Sequence, residues 1–220
     1  MNQPIGAAVT NANTCLRWLA RDTPNLEEAR AAMRVVTDGR RAAEIINRVR
    51  LVFKKGTAER ELVDVNGVVG EMIFLLQREA ARHNISTRAE LAGELPGVMG
   101  DRVQLQQVMM NLMMNSIDAM KDVDGARELL IQSRRTENDH VLVSVTDTGM
   151  GLPKQLASQI FNAFFTTKSH GTGLGLRISR SIVESHGGRL WAADNSPRGA
   201  SFNFTLPTKR EPHEQEKGGK

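Results

Sequence analysis

Four short segments carry side chains that could do chemistry. In Asn111-Leu112-Met113-Met114-Asn115-Ser116-Ile117-Asp118 two carboxamides stand four residues apart, on one face of a helix, with Asp118 about a turn further on. A neutral amide oxygen is a hard ligand suited to Mg²⁺, which prefers oxygen and shares its shell with phosphates and water. Such a pair can equally face solvent. Here Leu105, Val108, Met109, Leu112, Met113, Ile117 and Met120 make much of the helix apolar, so the pair is expected to border a cavity. The second segment, Asp147-Thr148-Gly149-Met150-Gly151, closes an apolar strand. A carboxylate there can accept a hydrogen bond from an exocyclic amine while bare glycine backbone lets a planar base approach. The third, Phe161-Asn162-Ala163-Phe164-Phe165-Thr166-Thr167-Lys168, joins an aromatic anchor to hydroxyls and one cation. The fourth, Gly171-Thr172-Gly173-Leu174-Gly175-Leu176, opens a helix whose first N–H groups can face an anion. It lacks the lysine of a P-loop, and Leu176 stands where G-x-G-x-x-G needs its third glycine.

The elements that must position these residues are legible from periodicity. Ile5, Ala8, Ala12, Cys15 or Leu16, and Leu19 predict an amphipathic helix over 5–20. Asp22-Thr23-Pro24-Asn25 reads as a turn, with Asn25 as N-cap and Glu28 completing a capping box. A second helix to about Phe53 carries Ala29, Ala32, Val36, Gly39, Ala43, Ile46, Val49 and Phe53 on one stripe. Two such helices form an antiparallel hairpin that needs a partner hairpin, hence a four-helix bundle by homodimerisation. Lys54-Lys55-Gly56-Thr57 is the expected hinge, dividing residues 1–56 from 57–207. Beyond it come a strand at 62–65, helix 68–82, strand 85–91, helix 103–120 and strand 129–135. Then follow strand 141–145, a glycine-rich stretch, helix 176–185, and strands 189–193 and 200–206. This order gives an α+β fold, helices packed on one face of a mixed sheet. Residues 208–220 read as a disordered tail.

In this order, the four segments resemble the N, G1, F and G2 boxes of the ATP-binding domain of sensor histidine kinases. That superfamily also includes gyrase, Hsp90 and MutL, and its domain is a Bergerat-type α/β sandwich. The resemblance covers residues 61–207, and Gly199-Ala200-Ser201-Phe202 looks like the last family box. It implies ATP and Mg²⁺ as cofactors, with Asn115 ligating the metal, Asn111 and Asp118 nearby, and Asp147 binding the adenine amino group. It further implies that Gly149, Met150 and Gly151 shape the base pocket and that Ser201 lines the site. Thr167, Lys168, Gly171, Thr172, Gly173, Leu174, Gly175 and Leu176 would form a lid over the phosphates. The lid is short, as in soluble oxygen- and nitrogen-sensing kinases of this family. Where gyrase and Hsp90 relatives place a water-activating glutamate, this chain has Asn111. An amide is no general base, which favours phosphoryl transfer over hydrolysis.

The hairpin resembles the dimerisation and histidine-phosphotransfer domain, whose first helix carries H-E-x-N-Q-P. This sequence starts Met1-Asn2-Gln3-Pro4, so the phosphoacceptor is expected ahead of it, and residues 1–220 are expected to bind Mg·ATP without autophosphorylating. His83, His140, His170, His186 and His213 read as solvated or structural, and Cys15 as a small core residue. Gln3, four places after the expected histidine, makes phosphatase activity doubtful. Two other function classes fit less well: a nucleotide-gated interaction module without chemistry, and a kinase acting on a partner's serine.

Of 220 residues 25% are charged, with 29 Lys+Arg against 25 Asp+Glu. Residues 1–60 hold 11 basic against 6 acidic residues and the remainder 18 against 19, so the positive excess belongs to the hairpin. Without an interleaved aromatic platform, that excess points to an acidic response-regulator receiver domain rather than to nucleic acid. No run approaches the apolar length of a membrane span, and the expected location is cytoplasmic. One cysteine excludes an internal disulfide framework.

Overall fold

The structure, a computed structural model, describes residues 3–21, 23–31, 33, 60–152, 159–166 and 172–208. The chain separates into two compact units, Met1–Lys54 and Lys55–Lys220.

In the first unit α1 spans Gln3–Leu19, and helical residues resume at Leu26. Cys15 is buried against Ala29 and Trp18, a small thiol filling a helix contact. The stripe turns more narrowly than expected, because Leu16 and Leu19 are 63% and 42% exposed. Half of the capping box is present. Asn25 Oδ1 accepts from the Glu28 N–H at 3.1 Å, but the Asn25 N–H donates to the Trp18 carbonyl at 3.1 Å. The returning α1 end thus takes the donor that Glu28 was expected to satisfy. The stripe from Ala32 to Phe53 and the 54–57 hinge lie outside the described residues.

The second unit begins with β1 (Glu61–Val63), which pairs antiparallel with β3 (Val98–Gly100) as a separate two-stranded ribbon. Helix α2 (Val65–Arg82) starts three residues before the expected point. Asp64 leaves the strand in extended conformation and caps the helix, its Oδ1 accepting from the Asn66 N–H at 3.0 Å. Next come β2 (Ser86–Leu91), α3 (Arg102–Met120), β4 (Glu128–Arg135), β5 (His140–Asp147), α4 (Gly175–Ser185), β6 (Arg189–Asp194) and β7 (Ala200–Pro207). The main sheet runs β2-β4-β5-β7-β6, with β2 parallel to β4 and the other pairs antiparallel, so it is mixed as expected.

Strict alternation sorts the two sheet faces. Leu129, Ile131, Val143, Val145, Phe202, Phe204 and Leu206 point into the core under the helices, where α3 buries Leu105, Val108, Met109, Leu112, Met113, Ile117 and Met120. The other face is polar, a ladder in which Ser144 donates to Asn203 at 2.7 Å and Thr146 bonds Ser201 at 2.9 Å. One described histidine is a buried structural residue. His186, 5% exposed, sets Nδ1 at 2.8 Å from the Ile182 carbonyl, and its Nε2 accepts from the Asp101 N–H at 3.0 Å. Asp101 in turn caps α3, accepting from Gln104 N–H at 3.1 Å, so the imidazole fastens the end of α4 to the start of α3.

Candidate nucleotide site

Strand β5 delivers Asp147 to the helix-side face just where the sheet ends, because alternation from Val143 and Val145 points it inward. The carboxylate is 1% exposed. Its Oδ1 accepts from the Gly149 N–H at 2.9 Å and from the Ala200 N–H at 3.2 Å. Oδ2 makes no hydrogen bond among the described residues, nor does the buried Ser116 hydroxyl. Ser116 lies near enough to favour the charged carboxylate, though not in hydrogen-bonding geometry. Burial is the dominant influence and raises the Asp147 pKa above its ordinary range, against the lowering contributions of Gly149, Ser116 and Ala200. A buried carboxylate oxygen without a donor is costly unless something supplies one.

The surrounding backbone is pinned tightly. Asn195 donates to the Asp147 carbonyl at 2.8 Å, and the Thr148 hydroxyl donates to Ala126 and accepts from the Glu128 N–H, both at 3.0 Å. Gly149 plays a packing role here: a Cβ there would lie 2.7 Å from the Ala119 carbonyl of α3, so the turn after β5 rests on that helix. The Met150 N–H bonds the same carbonyl at 3.3 Å, while its side chain is 71% exposed.

On α3, Asn115 is half-buried one turn beyond Asn111. Asn111 Nδ2 donates to the Gly175 carbonyl at 3.3 Å and to the Ser179 hydroxyl at 3.2 Å, joining α3 to α4. Asp118 pairs at 2.7 Å with Lys121, the residue that caps the end of the same helix. Helix α4 starts from Leu174 with no side-chain cap, leaving its first N–H groups for an anion. The third and fourth segments cross backbone to backbone: the Phe164 N–H donates to the Gly173 carbonyl at 3.0 Å, and a Cβ on Gly173 (φ 64°) would lie 2.4 Å from the Phe164 carbonyl carbon. Only glycine fits that crossing. Phe161 is buried, with the Arg180 guanidinium 5.3 Å from its ring centre.

Gly149 thus rests on α3, Asn111 joins α3 to the start of α4, and Gly151 lies against the Gly199 backbone. Thr167, Lys168 and Gly171 lie outside the described residues. Ser201 sits apart from the Asp147 carboxylate. Alternation in β7 turns its side chain to the polar sheet face, where it bonds Thr146, and it is Ala200 that reaches Asp147, through its backbone N–H. Period-two reading of β7 could have found this. Ser116 and Ser179 were missed too; both sit on helix faces otherwise filled by apolar residues, the pattern of a polar group facing inward. A groove of about 230 Å³ lined by Arg88, Glu128, Leu130, Thr146, Asp147, Thr148 and Asn195 opens at the end of β5. Among the described residues there is no cluster of three or more His, Cys, Asp or Glu that could hold a metal alone, and no helix long and apolar enough to cross a membrane.

Comparison with known proteins agrees with this geometry. Residues 100–210 match the histidine kinase-, DNA gyrase B-, and HSP90-like ATPase family. The sensor histidine kinase TmoS of Ectopseudomonas mendocina is 39% identical over 94% of this chain, and the sensor protein FixL of Bradyrhizobium diazoefficiens 37% over 94%. The chain spans 22% of the length of TmoS and 41% of FixL. The catalytic domain of histidine kinase ThkA superposes with a TM-score of 0.61 at 35% identity, covering 68% of this chain and 96% of that one. ThkA in complex with the response regulator protein TrrA gives 0.68 at 26% identity over 94% of this chain and 59% of that one. The shared architecture, the family match over the site-bearing half and the likeness to a whole catalytic domain agree, and the chain belongs to the histidine kinase-, DNA gyrase B- and HSP90-like ATPases.

Proposed function

We propose that the chain is the ATP-binding core of a sensor histidine kinase, passing the γ-phosphoryl group of ATP to a histidine and then to a response-regulator aspartate. The observation that carries this reading is the buried Asp147 Oδ2, which accepts no hydrogen bond among the described residues, at a strand end whose Gly149 rests on Ala119 of α3, one turn beyond Asn115. The adenine amino group supplies the missing donor. Gly149 and Ala200 hold the other oxygen, so the carboxylate has a single direction in which to accept.

The phosphates then extend toward the N–H groups of Gly175 and Leu176, whose dipole favours anionic oxygens. Magnesium fits the donor set, a half-buried amide with no carboxylate cage among the described residues, and Asn115 would hold it; its chemistry would be neutralisation of phosphate charge. Transfer forms a bond from an imidazole nitrogen to the γ-phosphorus and breaks the bond to the β–γ bridging oxygen, releasing ADP. Asn111 cannot deprotonate water, and both its amide hydrogens point to α4, which disfavours hydrolysis.

The helical unit is the homodimerisation surface in this reading, and its positive charge suits an acidic receiver domain; the relative ThkA has been seen with a response regulator protein. Adding His-Glu ahead of Met1 tests the transfer step. With radiolabelled ATP the extended protein should acquire acid-labile, base-stable phosphate, and substitution of the added histidine should remove it. A dimeric, ATP-binding protein that stays unlabelled would contradict histidine transfer.

A further inference from the structure

The metal-side and phosphate-side helices of the site are joined through one side chain. Gly175 is the first residue of α4 and Ser179 stands one turn along it, so both hydrogen bonds from Asn111 land on the first turn, behind the uncapped N–H groups. Ser179 is fully buried, and Asn111 is its side-chain donor across the helix pair. The two helices pack directly on each other along this seam. Resting on the reading above, we propose that Asn111 and Ser179 form a strut that fixes the start of α4 relative to Asn115, making Asn111 a positioning residue for the nucleotide phosphates.

The chemistry of the strut also restricts residue 111. The Gly175 carbonyl can only accept, so position 111 must donate to it, while the Ser179 hydroxyl accepts from the Asn111 amide. An ionised carboxylate there would set its lone pairs against the Gly175 carbonyl and keep only the bond that the Ser179 hydroxyl can turn to donate. Installing Asp or Glu at 111 is therefore expected to loosen α4 rather than to create a hydrolase.

Adenosine and a non-hydrolysable ATP analogue with magnesium separate the effects, because adenosine engages only the Asp147 end. Asn111→Ala and Ser179→Ala should each weaken the ATP analogue, by about 10- to 100-fold and 3- to 10-fold respectively, with adenosine affinity within twofold of the parent. The double variant should be no worse than Asn111→Ala alone, the signature of one shared interaction. In nucleotide-free protein, amide exchange at Ile178 and Ser179 should be faster in both variants. Ser179→Ala matching the parent while Asn111→Ala loses the ATP analogue would overturn the strut in favour of direct ligand contact. Equal loss of adenosine, or unchanged exchange, would overturn it as well. Should Asn111→Ala not fold, Ser179→Ala alone decides. A parent that binds neither ligand would defeat the functional reading, whereas the exchange rates report on the strut independently.

Discussion

Replacing Asp147 by Asn is expected to weaken ATP binding at least 100-fold while leaving the nucleotide-free domain as stable as the parent or more so. The amide oxygen can keep both backbone bonds that Oδ1 accepts from Gly149 and Ala200. Its NH₂ replaces Oδ2, so a donor faces the adenine amino group. Losing a hydrogen bond to a charged acceptor costs about 1.5–3 kcal/mol, and opposing two buried donors adds to it. Stability moves the other way because burial is what raises the Asp147 pKa, and an uncharged amide escapes that cost.

The pH dependence has a definite sign. With its native pKa above the unfolded value, Asp147 holds a proton in the folded state that the unfolded chain has already released, so its contribution to stability is gained as pH falls and lost as pH rises through the native pKa. The Asp147→Asn variant should therefore show its stability advantage at neutral pH, shrinking on acidification. Nucleotide affinity of the parent should drop as pH falls through that raised pKa, and the weak affinity of the variant should stay flat. Calorimetric titration at several pH values with thermal melts of the apo forms checks both. An Asp147→Asn protein that binds ATP like the parent would remove Asp147 from the site.

The second large effect is expected at Gly199. Its φ is 104°, and a Cβ there would fall 1.9 Å from the Asp147 carbonyl oxygen and 2.9 Å from the Thr148 Cα. That carbonyl cannot retreat, because Asn195 holds it, and the Asn195 N–H is bonded to the Gly199 carbonyl at 3.0 Å. Gly199→Ala must separate the ends of β5 and β7 and carry backbone strain of about 1–3 kcal/mol besides. A total near 3 kcal/mol lowers the melting temperature by about 6–12 °C in a domain of this size. Since Ala200 lies next in the chain and donates to Asp147, ATP binding should fall with it. Gly70 is the control. It stands exposed inside α2 with nothing within 4 Å of a built Cβ, so Gly70→Ala should raise stability by up to about 1 kcal/mol without changing binding. Melting both variants side by side distinguishes a close backbone crossing from a general preference for alanine.

Helices and long strands were legible because their apolar periods are unambiguous. Helix α3 begins one residue from its expected start and ends as expected, and the alternation of Val141, Val143 and Val145 fixes β5. What escaped was set by partners distant in sequence. Val98-Met99-Gly100 is too short to show a period, and only its pairing with Leu62 and its neighbours makes it a strand. Asp64 looked like part of a strand until its capping of α2 was visible, since the same carboxylate is compatible with both. The site divides in the same way. Asp147 and the Asn pair stood out as candidates from residue type, spacing and the family resemblance, but the Ser116, Ala200 and Ser179 contacts depend on which faces meet across the core. His186 illustrates the limit, because nothing in His186-Gly187-Gly188 announces a buried imidazole reaching Asp101.

A crystal structure of residues 1–220 with magnesium and a non-hydrolysable ATP analogue tests the central claim most directly. The adenine amino nitrogen should lie about 2.7–3.2 Å from Asp147 Oδ2, with phosphate oxygens at the N–H groups that open α4 and the metal on Asn115. Adenine bound elsewhere, or Asp147 Oδ2 left without a donor in a nucleotide-bound domain, would contradict it.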